Sequence, residues 1–183
     1  QNTVGAMKPR SAAAVSQKAA QVVFPAANAK PLRFTHKGPK DQMAAVIGWP
    51  TGAGLAQISE ARQLEVLAAL FRDRLFEKFR SEQAASYSPD ATATWPDEFA
   101  SGGFLMAYSQ MQPKDSERFF TFAKSVAADL AATPVSKDEL QRALEPILQY
   151  VERATTGNLF WMNELEGATY NAARYEVLGR LYS

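Results

Sequence analysis

The chain has 183 residues, 46% of them hydrophobic and 21% charged, with a net charge of +1 and no cysteine. That length fits one domain, able to bury roughly 70% of its unfolded surface without a metal or a disulfide to hold it. Thiolate chemistry and thiolate-ligated metals are excluded, the scattered basic residues argue against nucleic acid, and no apolar run reaches the roughly 18 residues needed to span a bilayer.

Residues 1–31 are rich in Ala, Gln, Ser and Pro and are predicted as an extended lead-in, with Val22, Val23 and Phe24 as candidates for a short strand. The opening QNTVGAMKPRSAAAVSQ has neither an initiator methionine nor the apolar core of a signal peptide, so a fragment or a processed product is expected. Residues 32–183 are expected to form one α+β domain. Leu32 to His36 is predicted as a strand, turning through KGPKD into a second, largely apolar strand at Met43 to Trp49. The two should pair as an antiparallel hairpin.

After the loop PTGAG, a long helix is predicted from about Ser59 to Ser81. Leu64, Leu67, Ala68, Phe71, Leu75 and Phe79 recur at steps of three and four and form its apolar stripe. Strands are predicted over Tyr87 to Trp95 and Gly103 to Met111. A helix then presents Phe119, Ala123, Val126 and Leu130 on one face. The next opens with SKDE, Ser136 to Glu139, a capping box whose serine and glutamate satisfy free backbone amides. Its stripe continues through Leu140, Ala143, Leu144, Ile147 and Val151, with a kink expected at Pro146. Leu159 to Tyr182 reads as helix again. The order of elements gives an α+β class: an antiparallel sheet covered by helices on one face.

Candidate chemistry is sparse. A hydrolytic zinc site needs several imidazole or carboxylate ligands at defined spacing. The single histidine, His36, rules out H-E-x-x-H and H-x-x-E-H within this chain. A Ser–His–Asp arrangement would also need His36, and no G-x-S-x-G elbow accompanies it, so a structural imidazole beside a turn is expected. The glycines of TGAG and SGG read as turns rather than phosphate cradles. There is no convergent set of titratable residues for a small-molecule enzyme. What remains is the seam LFRDRLFEKFRSEQAASYSPDATATW, where a helix ends on Arg80 and a strand opens on Tyr87. Arg80 would suit the C-terminus of a helix dipole, and Tyr87 a half-buried strand position. Alternatively both point into one cleft, donating to a peptide carbonyl and a developing oxyanion. Spacing leaves both readings open.

Three pieces carry a family resemblance: FTHKGPKDQMAAVIGWP, RQLEVLAALFRDRLFEKFRSEQAASYSPDA and TPVSKDELQRALEPILQYVERATTGNLFWMNEL. In that order, over about Lys30 to Leu165, they resemble a repeat of the pitrilysin/insulinase family of zinc metallopeptidases. The helix-to-strand piece is the most specific, through Leu75, Phe76, Glu77, Arg80, Tyr87 and Ser88. Arg80-Ser81-Glu82 stands where the family usually has R-E. Thr3 to Arg10, TVGAMKPR, is similar to the end of the first helix of such a repeat, which implies a domain truncated at both ends.

The resemblance implies a later, non-catalytic repeat that carries no metal of its own. Zinc would sit in the N-terminal catalytic half, the partner with which this domain encloses unfolded peptides. It also implies that Arg80, Tyr87 and Phe76 meet the substrate, with Tyr87 supplying an oxyanion contact. A catalytically inactive scaffold subunit is the alternative. An open sheet edge would allow a homo-oligomer. Compartment is not fixed by the residues, and the exported relatives point to the bacterial periplasm.

Overall fold

The computed structural model describes residues 7–8, 22–28, 30–54, 57–81, 89–96, 99, 101–166, 168 and 172–180. Its strands are β1 (Met43–Pro50), β2 (Asp90–Thr94) and β3 (Phe104–Met111), and its helices are α1 (Ile58–Ser81), α2 (Ser116–Ala132), α3 (Lys137–Ala154), α4 (Asn158–Glu164) and α5 (Ala172–Gly179). The strands form an antiparallel sheet in the order β1-β3-β2. The class is α+β, as the order of elements predicted.

Period-two alternation splits the sheet into two faces. Ala45, Ala91, Leu105, Ala107 and Met111 point to one side, where Ala68, Phe71, Leu75 and Phe79 of α1 and Phe119, Ala123 and Val126 of α2 complete the core. The small strand residues let the helices come close, and the aromatic rings fill the space between. Phe79 packs on Phe122 edge-on at 5.1 Å between ring centres, and Trp49 meets Phe71 at 5.3 Å. Each fully buried side chain of this size stabilises the fold by roughly 1.5–3 kcal/mol.

A second layer forms where Ala69 and Leu70 of α1 meet Ala143 of α3. Arg74 spans this contact with two parallel bonds to Glu139, Nε to Oε1 at 2.6 Å and Nη2 to Oε2 at 2.9 Å. Lys78 ties α1 to α2 through Ser125 Oγ at 3.1 Å and Asp129 at 3.5 Å. The capping box of α3 forms on its serine side, with Ser136 Oγ accepting from the Glu139 amide at 3.2 Å. The Glu139 carboxylate serves two partners, binding Arg74 most strongly and also feeling the Ser136 backbone amide of the cap. Pro146 lies inside α3 without ending it.

Three expectations need correction. Leu32 to His36 is not a strand: it lies between Pro31 and Pro39, and Leu32 and Phe34 are exposed with no sheet to cover them. β1 pairs instead with β3, more than fifty residues downstream. Val22 to Phe24 is extended but joins no ladder. The helix predicted over Leu159 to Tyr182 is not continuous: α4 ends at Glu164, where Leu165 and Glu166 form a turn, and α5 begins at Ala172, while residues 181–183 lie outside the described residues. Arg62 of α1 holds the end of α5, donating to the carbonyls of Val177 at 2.8 Å and of Arg180.

The turns read as Gly loops do pair with each other. Thr51 and Gly52 donate to the Gly103 carbonyl, and the Gly103 amide donates to Ala53 O at 2.6 Å. A Cβ at Gly103 would lie 2.6 Å from that same backbone oxygen, so only glycine fits the approach.

Candidate functional site

Six buried positions on α1, from Ala68 to Phe79, face inward, and the opposite side carries Arg72, Asp73, Phe76, Glu77 and Arg80 toward solvent. Phe76 and Arg80 are four residues apart and therefore neighbours on that side. Phe76 is 46% exposed although it is a large apolar residue. The Arg80 guanidinium lies 3.8 Å from Glu77 Oε1, with both side chains open to water. An ion pair so exposed holds the arginine loosely, at about 0–1 kcal/mol. Its position in the last turn also suits the negative end of the helix dipole. Tyr87 and Ser88 lie outside the described residues, so the structure brings together two of the three expected site residues.

Past the seam, Trp95 at the end of β2 donates to Glu65 in the first half of α1, at 3.1 Å. β2 therefore runs back along the helix, and its first residue, Asp90, lies toward the helix end that carries Arg80. Asp90 was not singled out by sequence reasoning. Its Oδ1 accepts from the following amide, Ala91 N, at 2.8 Å, and its Oδ2 accepts from the Tyr108 hydroxyl, also at 2.8 Å. The two residues face each other directly across the β2–β3 ladder. The hydrogen bond to Asp90 pushes the Tyr108 hydroxyl above its ordinary value, and the carboxylate charge adds to this. No local signal reveals such a pair. It needs the register of strands that the sequence separates by a loop.

His36 has both ring nitrogens engaged within its own turn. The Gly38 amide donates to Nδ1 at 3.0 Å, which makes Nε2 the protonated nitrogen, and that donates to Gln42 O at 3.0 Å. The ring staples the turn before β1, the structural role expected for it. Among the described residues, no group of three or more His, Cys, Asp or Glu could hold a metal ion. The residues present do not fit a hydrolytic zinc. An open cleft of about 620 Å³ lies between α1 and α3, lined by Leu64, Leu67, Leu70, Leu130, Leu140 and Leu144 among others. Among its described lining residues Glu60 is the one ionisable group.

The described residues form an α+β layer whose main helix turns polar and aromatic groups toward solvent. Residues 4–147 match the family described as Peptidase M16 inactive domain. The chain belongs to that family and is a non-catalytic C-terminal domain of the pitrilysin/insulinase peptidases. No curated protein matches it. Among the described residues, no helix is long and apolar enough to cross a membrane.

Proposed function

We propose that this domain is the substrate-binding half of a zinc-dependent metalloendopeptidase, closing with an N-terminal catalytic half around unfolded peptides. The observation that carries this reading is the exposure of Phe76 beside Arg80 at the C-terminal end of α1. A phenylalanine on the outer side of a helix contributes little to folding, whereas an aromatic ring beside a guanidinium is the composition of a contact surface. The family match supports the same reading, because an inactive domain of a peptidase family has its use beside an active one.

In this reading Arg80 donates to main-chain carbonyls of the peptide and Phe76 covers an apolar side chain. Tyr87, seven residues after the arginine, supplies its hydroxyl to the oxyanion that develops at the scissile carbonyl. The hydrolytic zinc belongs to the catalytic half, and the present chain contributes binding and orientation only.

The test uses the full-length protein and a quenched fluorescent peptide, with and without a chelator. Chelator-sensitive cleavage is expected for the wild type. Tyr87→Phe should lower turnover by roughly 10²–10³-fold, the usual cost of one oxyanion donor. Arg80→Ala and Phe76→Ala should act mainly by raising KM. If all three variants cleave like the wild type, these residues are structural. If the wild type itself cleaves nothing, the domain is a scaffold of the same fold.

A further inference from the structure

The side of the sheet turned away from the helices is not built like an ordinary solvated face. An antiparallel sheet with one wet face normally alternates apolar-in with polar-out. Here the outward residues of β3 are Phe104, Met106, Tyr108 and Gln110, and those of β1 are Ala44, Val46, Gly48 and Pro50. Val46 is 53% exposed. β2 adds Asp90, Thr92 and Thr94. No described helix covers this face, and Asp90 is its one charged residue.

Two further observations say what the face accepts. First, the chain already seats an extended segment at one end of it. The Phe24 ring meets Phe104 edge-on at 6.2 Å between centres, and Val22 lies over Gly102, where any Cβ would come within 2.6 Å of its side chain. Val23, between them, is 83% exposed, so the segment lays alternate side chains on the protein as an extended peptide does. Second, the Asp90 carboxylate is fixed in place by the Ala91 amide and the Tyr108 hydroxyl, yet no cationic side chain among the described residues pairs with it. Val46, Tyr108 and Asp90 share one row across the three strands. Apolar ground and a positioned carboxylate, without a cationic partner among the described residues, thus lie side by side.

We propose that this helix-free sheet face receives an extended peptide segment bearing a basic side chain, and that Asp90 is the residue that selects it. The proposal rests on the reading of the domain as peptide-facing, and it adds a specificity that Arg80, Phe76 and Tyr87 do not supply. A lysine or arginine places its methylenes over Val46 and Met106 and its charge at Asp90. The remaining apolar side chains of the peptide continue along the ground that Phe24 occupies at the other end.

The experiment measures binding by the full-length, chelator-treated protein, so that no turnover intervenes. The probes are fluorescent extended peptides that differ only in one arginine replaced by norleucine, with the arginine scanned along an apolar sequence. At low salt, at least one arginine position should bind roughly threefold to fivefold tighter than its neutral analogue, the range of a partly exposed ion pair. Asp90→Asn removes the charge and keeps one acceptor oxygen, enough for Tyr108 or the Ala91 amide but not both, and should erase that preference while the neutral peptide still binds. Val46→Lys, at an exposed position in the same row, should erase it as well by supplying a competing cation. A preference that survives both variants would overturn the role of Asp90, while peptide binding itself would leave the peptide-facing reading standing. If neither peptide binds, that reading fails and this inference falls with it.

Discussion

The two faces of one sheet are made from alternate residues of the same three strands, and they differ in what the described helices cover. On the helix side stand Ala45, Ala91, Ala107 and Leu105, between 0 and 6% exposed. On the other side stand Val46, Phe104, Met106 and Tyr108, bulkier and more exposed. Met43, Ile47, Trp49 and Met111 share the helix side, so small and large strand residues interlock with the helices there. On the outer side Phe104, Met106 and Tyr108 are half-buried, and no described helix covers them. Burial on this sheet therefore follows where the described helices pack, not simply which residues are apolar.

The largest effect should come from emptying the helix side. Phe119 is 0% exposed and packs against Phe79 and Phe120. Phe119→Ala removes a ring that the rigid sheet cannot collapse to replace. It should cost about 3–5 kcal/mol of folding stability, read from chemical denaturation. A loss below about 1 kcal/mol would mean that this core is loosely packed.

The contrast between the faces is sharper in a pair of adjacent residues. Ala107 is 0% exposed and points at the helices, whereas Met106 points away from them. Ala107→Leu should overpack the core and cost about 1–3 kcal/mol, while Met106→Leu should stay within about 0.5 kcal/mol. Equal effects would show that the outer face is as tightly packed as the inner one.

Much of this was legible in the sequence. The stripe of α1 through Phe71, Leu75 and Phe79 announced both the helix and its buried side, and Ser136 announced the start of α3. Period two over Met43 to Trp49 marked a strand, but alternation does not say which strand it joins. A nearby run, Leu32 to His36, looked like the natural partner, yet prolines flank it and β3 offered a longer apolar ladder. The same limit hid the site. Phe76 and Arg80 came into view through the resemblance of the helix-to-strand piece to the family, not through spacing alone. Asp90 and Tyr108 meet only through strand register, so nothing local could join them.

A smaller effect separates the helix layers from each other. Glu139 is held below the usual glutamate range, first by its hydrogen bonds from Arg74 and further by that residue's charge, with desolvation opposing. A lowered folded value favours the native state above the unfolded value of about 4.3. The contribution is lost as the pH falls below that point and through the lowered value. Glu139→Gln should therefore cost about 1 kcal/mol at neutral pH, as a partly exposed bidentate pair does. The gap to wild type should narrow on acidification. Parallel pH curves for the two proteins would mean that the pair adds nothing to the α1–α3 contact.

The smallest effect is spectroscopic, and it reads the outer face directly. Because the Tyr108 hydroxyl donates to Asp90, its ionisation lies above the ordinary value of about 10. The sign is that of any group with a raised value: the contribution is present below the unfolded value and is lost as the pH rises through the folded one. Subtracting the ultraviolet titration of Tyr108→Phe from that of wild type isolates this residue from the other tyrosines. In Asp90→Asn the same signal should move back toward the ordinary value. A bound peptide with a basic side chain should shift it in the same direction, because a cation at Asp90 offsets the charge that holds the phenol protonated. A neutral peptide on the same apolar ground should leave it in place. If Asp90→Asn leaves the titration unmoved, the hydroxyl–carboxylate contact is not kept in solution, and the outer face loses the fixed charge that distinguishes it from bare apolar surface.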